Sequence, residues 1–174
     1  MDGGRRPEGL HRQPGDGWVD CLCGRRHWGL FGAAGLLLFR TRAGGADVVL
    51  QHRATWSDAG GTWGVPGGAL APAESAVDGA LREAAEEAGI EPLAVEVLTT
   101  TVLDHGPWSY TTVVARSTGA QRPRPTDPES LEIAWVHLDA VTERPLHPAF
   151  ADAWPALRRL VESSTGTAHS PGRT

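Results

Sequence analysis

The sequence predicts a single mixed α/β domain, and three observations carry that expectation. The chain has 174 residues, and one domain typically takes roughly 100–200. Apolar residues make up 40% and charged residues 21%, a balance that supports a packed core and excludes a wholly disordered chain. Short β-rich runs then precede and follow one strong helical pattern, and a second helical pattern closes the set.

The elements follow in order. Residues 1–17 hold Gly, Pro, Arg and little else, so they read as a flexible N-terminal tail. The stretch 18–28 carries Trp18, His27 and Trp28, too aromatic for a free tail. It reads as an N-terminal extension that packs on the domain or across a homodimer interface. Residues 32–39 (GAAGLLLF) form an unbroken apolar run, the pattern of a fully buried strand. Residues 47–53 give a second strand, and the Gly-rich Arg42–Asp47 gives a hairpin between the two. Asp58–Gly68, with Trp63, Pro66 and many glycines, is a shaped loop. Residues 75–88 form the strong helix. Ser75 caps it, Asp78 follows three residues later, and Gly89 ends it. Val- and Thr-rich residues 94–104 and 110–116 suit strands around a His105-Gly106-Pro107 turn. A proline-bearing loop, 117–130, leads to a last strand at 131–138. A final helix at 149–162 carries Pro155 as a kink or as the start of its main part. Residues 163–174 read as a flexible C-terminal tail, so the domain is expected over 18–162.

Charge and cysteine content narrow the function. A net charge of −5 disfavours a broad nucleic-acid face, which needs clustered positive charge. All 16 basic residues are Arg, a bias read first as that of a high-GC coding sequence. The longest apolar run, Gly29–Phe39, falls far short of the roughly 20 residues that span a bilayer. Cys21 and Cys23 stand too close in sequence for disulfide geometry, so a reducing cytoplasm is the expected setting. Cys21-x-Cys23 with His27 suggests zinc. A structural site needs four ligands, however, and no second Cys/His pair lies at suitable spacing, so two reduced thiols are the favoured reading.

The chemistry concentrates between Gly68 and Ile90. Glu83, Glu86 and Glu87 stand at i, i+3 and i+4, on one helical face. Like charges at that spacing cost roughly 0.2–0.5 kcal/mol per pair, with only Arg82 nearby to offset them. A hard divalent cation would remove the conflict. The alternative is a solvated acidic helix face. Ala76, Ala80, Ala84 and Ala88 line the opposite side and allow close packing on a sheet.

The segment GALAPAESAVDGALREAAEEAGI matches the Nudix box, G-x5-E-x7-R-E-U-x-E-E-x-G-U with U aliphatic, at every fixed position. Ala84 is a small choice for the first U. The flanks GGTWGVPGG, VVLQHRATWS, WSYTTVVA, ESLEIAWV and PLHPAFADAW also resemble MutT-like Nudix proteins. The resemblance covers about residues 30–160. It implies an α/β/α sandwich with a mixed, partly barrel-like sheet. It also implies a Mg²⁺-dependent hydrolase, with Mn²⁺ as substitute, that cleaves a small nucleotide such as 8-oxo-dGTP to monophosphate and pyrophosphate. ADP-ribose and dinucleotides are alternative substrates, and a catalytically silent ligand sensor is the reading from another class.

By the same resemblance, the Gly68 carbonyl, Glu83 and Glu87 ligate metal, and Glu86 is a further or alternating ligand. Arg82 orients the carboxylates, Glu74 fixes the loop–helix geometry, and Gly89 closes the helix. The general base comes from the box or from a glutamate outside it, Glu132 or Glu129, with Glu132 ranked first. Arg53 and Gly67 fall where substrate is contacted. Trp63 and His147 are candidates for the base, each with a packing or capping alternative. Trp108 and Tyr110 read as edge or core aromatics.

Overall fold

The computed structural model describes residues 13–166. In chain order the elements are β1 (Trp18–Asp20), β2 (Arg26–Trp28), β3 (Ala33–Arg42), β4 (Gly45–Arg53), β5 (Trp63–Gly64), β6 (Gly67–Ala69), α1 (Ala76–Ala88), β7 (Val95–Asp104), β8 (Ser109–Ser117), β9 (Ser130–His137) and α2 (Pro148–Gly166). Short 3₁₀ turns at Pro92–Ala94 and Leu138–Glu143 precede β7 and α2.

Alternation along β3 sets the layers. Leu37 and Phe39 join one cluster with Leu50, Val114, Val136, Trp154 and Leu157. Ala34, Leu36 and Leu38 join another with Val49, Val113, Ala80, Ala84 and Ala88. Successive strand residues face opposite sides, so the unbroken apolar run is a strand covered by α2 on one face and α1 on the other. Each fully buried Leu on it contributes about 1.5–3 kcal/mol. Of the alanine stripe of α1, Ala80, Ala84 and Ala88 are buried and Ala76 is partly so.

The mixed sheet has seven strands in the order β5-β4-β3-β8-β7, with β6 beside β3 and β9 beside β4, and it is not closed. β3 and β8 run parallel and the other pairs antiparallel. β3 and β4 pair only near their hairpin, from Phe39↔Val48 to Arg42↔Gly45. Beyond that they part. β6 takes the vacated edge of β3 (Ala34↔Gly68) and β5 that of β4 (His52↔Trp63). The Trp63–Ala69 segment therefore fills a split in the sheet, and the Leu36 N–H reaches Pro66 O at 2.9 Å within it.

Ordered structure extends into both segments expected to be tails. α2 runs to Gly166, past the predicted end at 162. The Ser163 hydroxyl donates to Arg159 O at 2.8 Å and the Ser164 hydroxyl to Leu160 O at 2.7 Å, so serines that favour loops bond back into the helix. Pro155 lies inside this helix, which starts at Pro148, a favoured first position. At the other end residues 13–17 are held on the domain. The Leu30 N–H donates to Gly15 O at 2.8 Å and the Gly29 N–H to Gly17 O at 2.7 Å. The rest of the two expected tails, 1–12 and 167–174, lies outside the described residues. The extension 18–28 packs on the domain itself: the Trp108 indole N–H donates to Trp28 O at 3.0 Å, and His27 stacks on Trp108 at 4.2 Å.

Candidate active site

The site is built where α1 meets the split in the sheet. Ser75 caps α1 by accepting the Asp78 N–H at 3.1 Å. Gly89 ends it in the left-handed conformation (φ 62°), a position that favours glycine. Between these caps, Glu83 and Glu87 meet β6. Glu87 is 2% exposed and accepts the Gly67 N–H at 2.9 Å on Oε2. Gly68 lies against Glu83: a Cβ there would fall 2.6 Å from Glu83 Cδ. Gly67 fits as closely to β3, its own Cβ falling 2.3 Å from Ala34 O. Both glycines are thus demanded by close approach. Gly67, expected to contact substrate, has its N–H committed to Glu87.

Arg82 organises the acids. Its Nε and Nη2 donate to the two Glu74 oxygens at 2.8 and 2.9 Å. Its Nη1 donates to Glu83 at 2.6 Å and lies 3.4 Å from Glu86, and Nη2 also reaches Ala69 O at 3.1 Å. Glu74 in turn accepts the Ala71 N–H at 2.9 Å. With both oxygens engaged, Glu74 is a brace between loop and helix, and the Arg82 fork holds its pKa below the usual carboxylate range. Burial pushes Glu83 up to about 7 against the pull of Arg82, with Glu86 and Glu129 adding to the rise. Burial also raises Glu87, reinforced by Glu83, Glu129 and Asp127. A buried carboxyl group beside a partly buried one of like charge is a natural seat for a hard divalent cation.

The loop before β9 completes this side. The Arg124 N–H donates to Ala88 O at 3.0 Å and the Thr126 N–H to Glu87 O at 3.1 Å, so the loop satisfies the last carbonyls of α1. The Ser130 hydroxyl sits 3.4 Å from Glu87 O and accepts Gln51 Nε2 at 2.9 Å. That anchoring brings Asp127 and Glu129 close enough to bear on Glu87. Glu132, ranked first in the sequence reading, is not brought into the cradle. It is exposed and pairs with His52, and by strand alternation it shares the face of Ala134 and Val136, toward α2. The register shift at His52/Arg53 separates it from Ser130.

The remaining candidates gather on the α2 side. Trp63 is 7% exposed, stacked on His52 at 4.8 Å, with the Arg144 guanidinium 4.8 Å from its ring centroid; it packs. His147 accepts the Ala149 N–H on Nδ1 at 3.2 Å, capping α2. Burial, then nearby Arg53, hold its pKa below the usual imidazole value, so the ring is neutral at pH 7 and presents an Nε2–H donor. Arg53 donates to Asp58 O at 3.1 Å. Partly buried Tyr110 has its pKa raised by desolvation of the hydroxyl, with Glu87 and Glu83 adding to the rise and Arg53 opposing it. A Cβ at Gly35 would fall 2.1 Å from Tyr110 Oη. The Tyr110 hydroxyl is thus packed against the backbone of β3 at Gly35.

The chain is similar to known proteins. The NUDIX domain family matches residues 30–160 of the chain. A Bifidobacterium longum nucleoside triphosphate pyrophosphatase/Nudix hydrolase fusion protein is 51% identical over 164 residues; the match covers 91% of this chain and 34% of that protein's length. A Mycobacterium tuberculosis protein provisionally named 8-oxo-dGTP diphosphatase 3 is 46% identical over 154 residues, covering 84% of this chain and 70% of that protein. The crystal structure of RenU, a Nudix hydrolase from M. smegmatis, superposes with a TM-score of 0.78 at 43% identity, covering 91% of this chain and all (100%) of that one.

Proposed function

The chain belongs to the NUDIX domain family, and from that premise we propose that it is a Mg²⁺-dependent hydrolase. Its substrate is a nucleoside triphosphate, first among them an oxidised purine nucleotide such as 8-oxo-dGTP, split to monophosphate and pyrophosphate. The observation that carries this reading is the Glu83–Glu87 pair beside Gly67 and Gly68, with Glu87 buried and Glu83 partly so, and with Glu129 adding to the upward pKa shift of both. The name of the M. tuberculosis relative supplies the substrate.

The donor set fits Mg²⁺, with Mn²⁺ as substitute: the Gly68 carbonyl, Glu83 and Glu87 would hold it, with Glu86 as a further ligand. When bound, the cation supplies charge neutralisation on non-bridging phosphate oxygens and a water of lowered pKa. The protein's own part is positional and electrostatic. Arg82 holds Glu83 in place through the 2.6 Å bond. Glu129 accepts the proton of the attacking water on its carboxylate. Arg53 offers its remaining guanidinium donors to a phosphate, and the His147 Nε2–H offers a donor to the base. Trp63 supports this wall through packing. A small nucleotide in the cytoplasm is the partner in this reading.

A nucleotide panel including 8-oxo-dGTP, ordinary triphosphates, ADP-ribose and dinucleotides, with product identification in ¹⁸O-water, tests it. The expected result is ¹⁸O-labelled monophosphate or pyrophosphate from a triphosphate, abolished in Glu87→Gln. No turnover of any nucleotide, or turnover unaffected by Glu87→Gln, overturns it. Calorimetric binding without turnover would identify a ligand sensor.

A further inference from the structure

A second cluster of metal-ligating side chains lies outside the glutamate site. The turn between β1 and β2 is tight: the Cys21 N–H donates to Arg25 O and the Gly24 N–H to Cys21 O, both at 3.0 Å. Gly24 adopts φ 82° there. This turn places Cys21 and Cys23 beside His27 of β2. His105, at the turn between β7 and β8, completes the group. Cys23 Sγ lies 3.1 Å from His27 Nε2, and His105 Nδ1 lies 3.1 Å from the same nitrogen. The four candidate ligand atoms all lie within 4.8 Å of one another.

We propose that Cys21, Cys23, His27 and His105 form a structural zinc site that staples the N-terminal hairpin to the β7–β8 turn. Two sulfurs and two imidazole nitrogens are a set that selects zinc. Bond lengths of about 2.3 Å to sulfur and 2.0–2.1 Å to nitrogen give a tetrahedron with edges of about 3.3–3.8 Å. The observed separations require adjustment of only a few tenths of an ångström to about 1 Å to reach those edges. Two thiolates and two neutral imidazoles cancel the charge of the ion. With four protein ligands the site is closed, so its role is structural.

The surroundings fix the ligands in advance. His27 lies flat on Trp108 at 4.2 Å with 14° between the rings, and the Trp108 indole is bonded to Trp28 O. The His105 N–H bonds Trp108 O at 2.9 Å. The chain leaving this hairpin becomes β3, whose first residues pair with β6 at the glutamate cradle. The staple therefore fixes the entry of the strand on which that cradle is assembled. The site differs in chemistry from the oxygen-rich cradle and stands independently of the proposed function.

The full chain, purified under reducing conditions, is assayed for bound zinc and then titrated with Co²⁺ after zinc removal. The expected results are one zinc per chain and tetrahedral cobalt bands with sulfur-to-cobalt charge transfer. Those bands persist in Glu83→Gln and Glu87→Gln and are lost in Cys23→Ser and His105→Ala. Cys23 is exposed, so its replacement leaves the core intact, and circular dichroism verifies this. Zinc should also slow thiol modification and trypsin cleavage at the exposed Arg25 and Arg26 more than tenfold. Absent charge-transfer bands, stoichiometric zinc retained by Cys23→Ser, or thiols equally reactive with and without zinc would each overturn the proposal.

Discussion

Gly68→Ala is the smallest change that reaches the cradle. The added Cβ would lie 2.6 Å from Glu83 Cδ and 2.8 Å from both carboxylate oxygens. Comfortable contact begins at about 3.5 Å, so the carboxylate must retreat by about 0.7–0.9 Å. That movement lengthens the 2.6 Å bond from Arg82 Nη1, a charge-assisted contact worth about 1.5–3 kcal/mol. Gly68 is a strand residue paired with Ala34, so alanine suits its backbone, and the stability loss stays within the 1–3 kcal/mol usual for one added methyl in a packed site. Metal affinity should suffer more, since disturbed ligand support typically costs 10–100-fold. The expected outcome is a half-saturating Mg²⁺ concentration raised at least tenfold, with a folded protein by thermal melting. Gly67→Ala is the contrast. Its Cβ would meet Ala34 O at 2.3 Å and Gly35 Cα at 2.5 Å, backbone that cannot swing away, so the melting temperature falls first. A folded Gly68→Ala protein with an unaltered Mg²⁺ dependence would refute the placement of Glu83 in the metal site.

Further outcomes test the acids and their brace. Glu129→Gln should lower the hydrolysis rate by about 10²–10⁴, whereas Glu132→Gln, on the other face, leaves it nearly unchanged; the reverse order in single-turnover rates would restore Glu132. Glu83 is raised from an ordinary 4.5 to about 7, so without metal it contributes stability that is fully present below pH 4.5 and lost as pH rises through 7. The loss is about 3 kcal/mol, visible as a falling melting temperature in EDTA and removed by excess Mg²⁺. Glu74 is shifted the other way, by Arg82, so its contribution is fully present above pH 4.5 and fades as pH falls below that. Arg82→Lys should cost about 2–3 kcal/mol in urea denaturation, because a point charge cannot serve Glu74 in bidentate fashion together with Glu83 and Ala69 O.

What the sequence disclosed follows the range of the interactions involved. α1, its Ser75 cap, its Gly89 stop and its three glutamates were legible because helical geometry acts over three or four residues. The buried identity of β3 was legible because both its faces are apolar. The choice between Glu129 and Glu132 was not legible: Glu132 takes its face from pairing with His52 in β9, whereas Glu129 lies just before that strand, held by the Ala54 N–H on its carbonyl. The fourth member of the thiol–imidazole cluster was hidden for another reason. His105 stands 78 residues from His27, and only the packing of the extension on Trp108 brings them together. Tyr110 read only as an edge or core aromatic, because Gly35, against which its hydroxyl packs, belongs to another strand.

The last turn of α1 has an electrostatic consequence. It contains no basic residue and ends with Glu86 and Glu87 beside the carbonyl end of the helix. That is the negative pole of the helix dipole, where an anionic side chain is unfavourable by about 0.3–1 kcal/mol. The loop through Arg124 and Thr126 supplies hydrogen bonds to those carbonyls but leaves the like charges facing one another. A cation bound by Glu83 and Glu87 would act as a counterion for the dipole as well as for the carboxylates. Order in this helix end then becomes a function of cation occupancy, and the loop that carries Glu129, hung on the same carbonyls, shares that dependence.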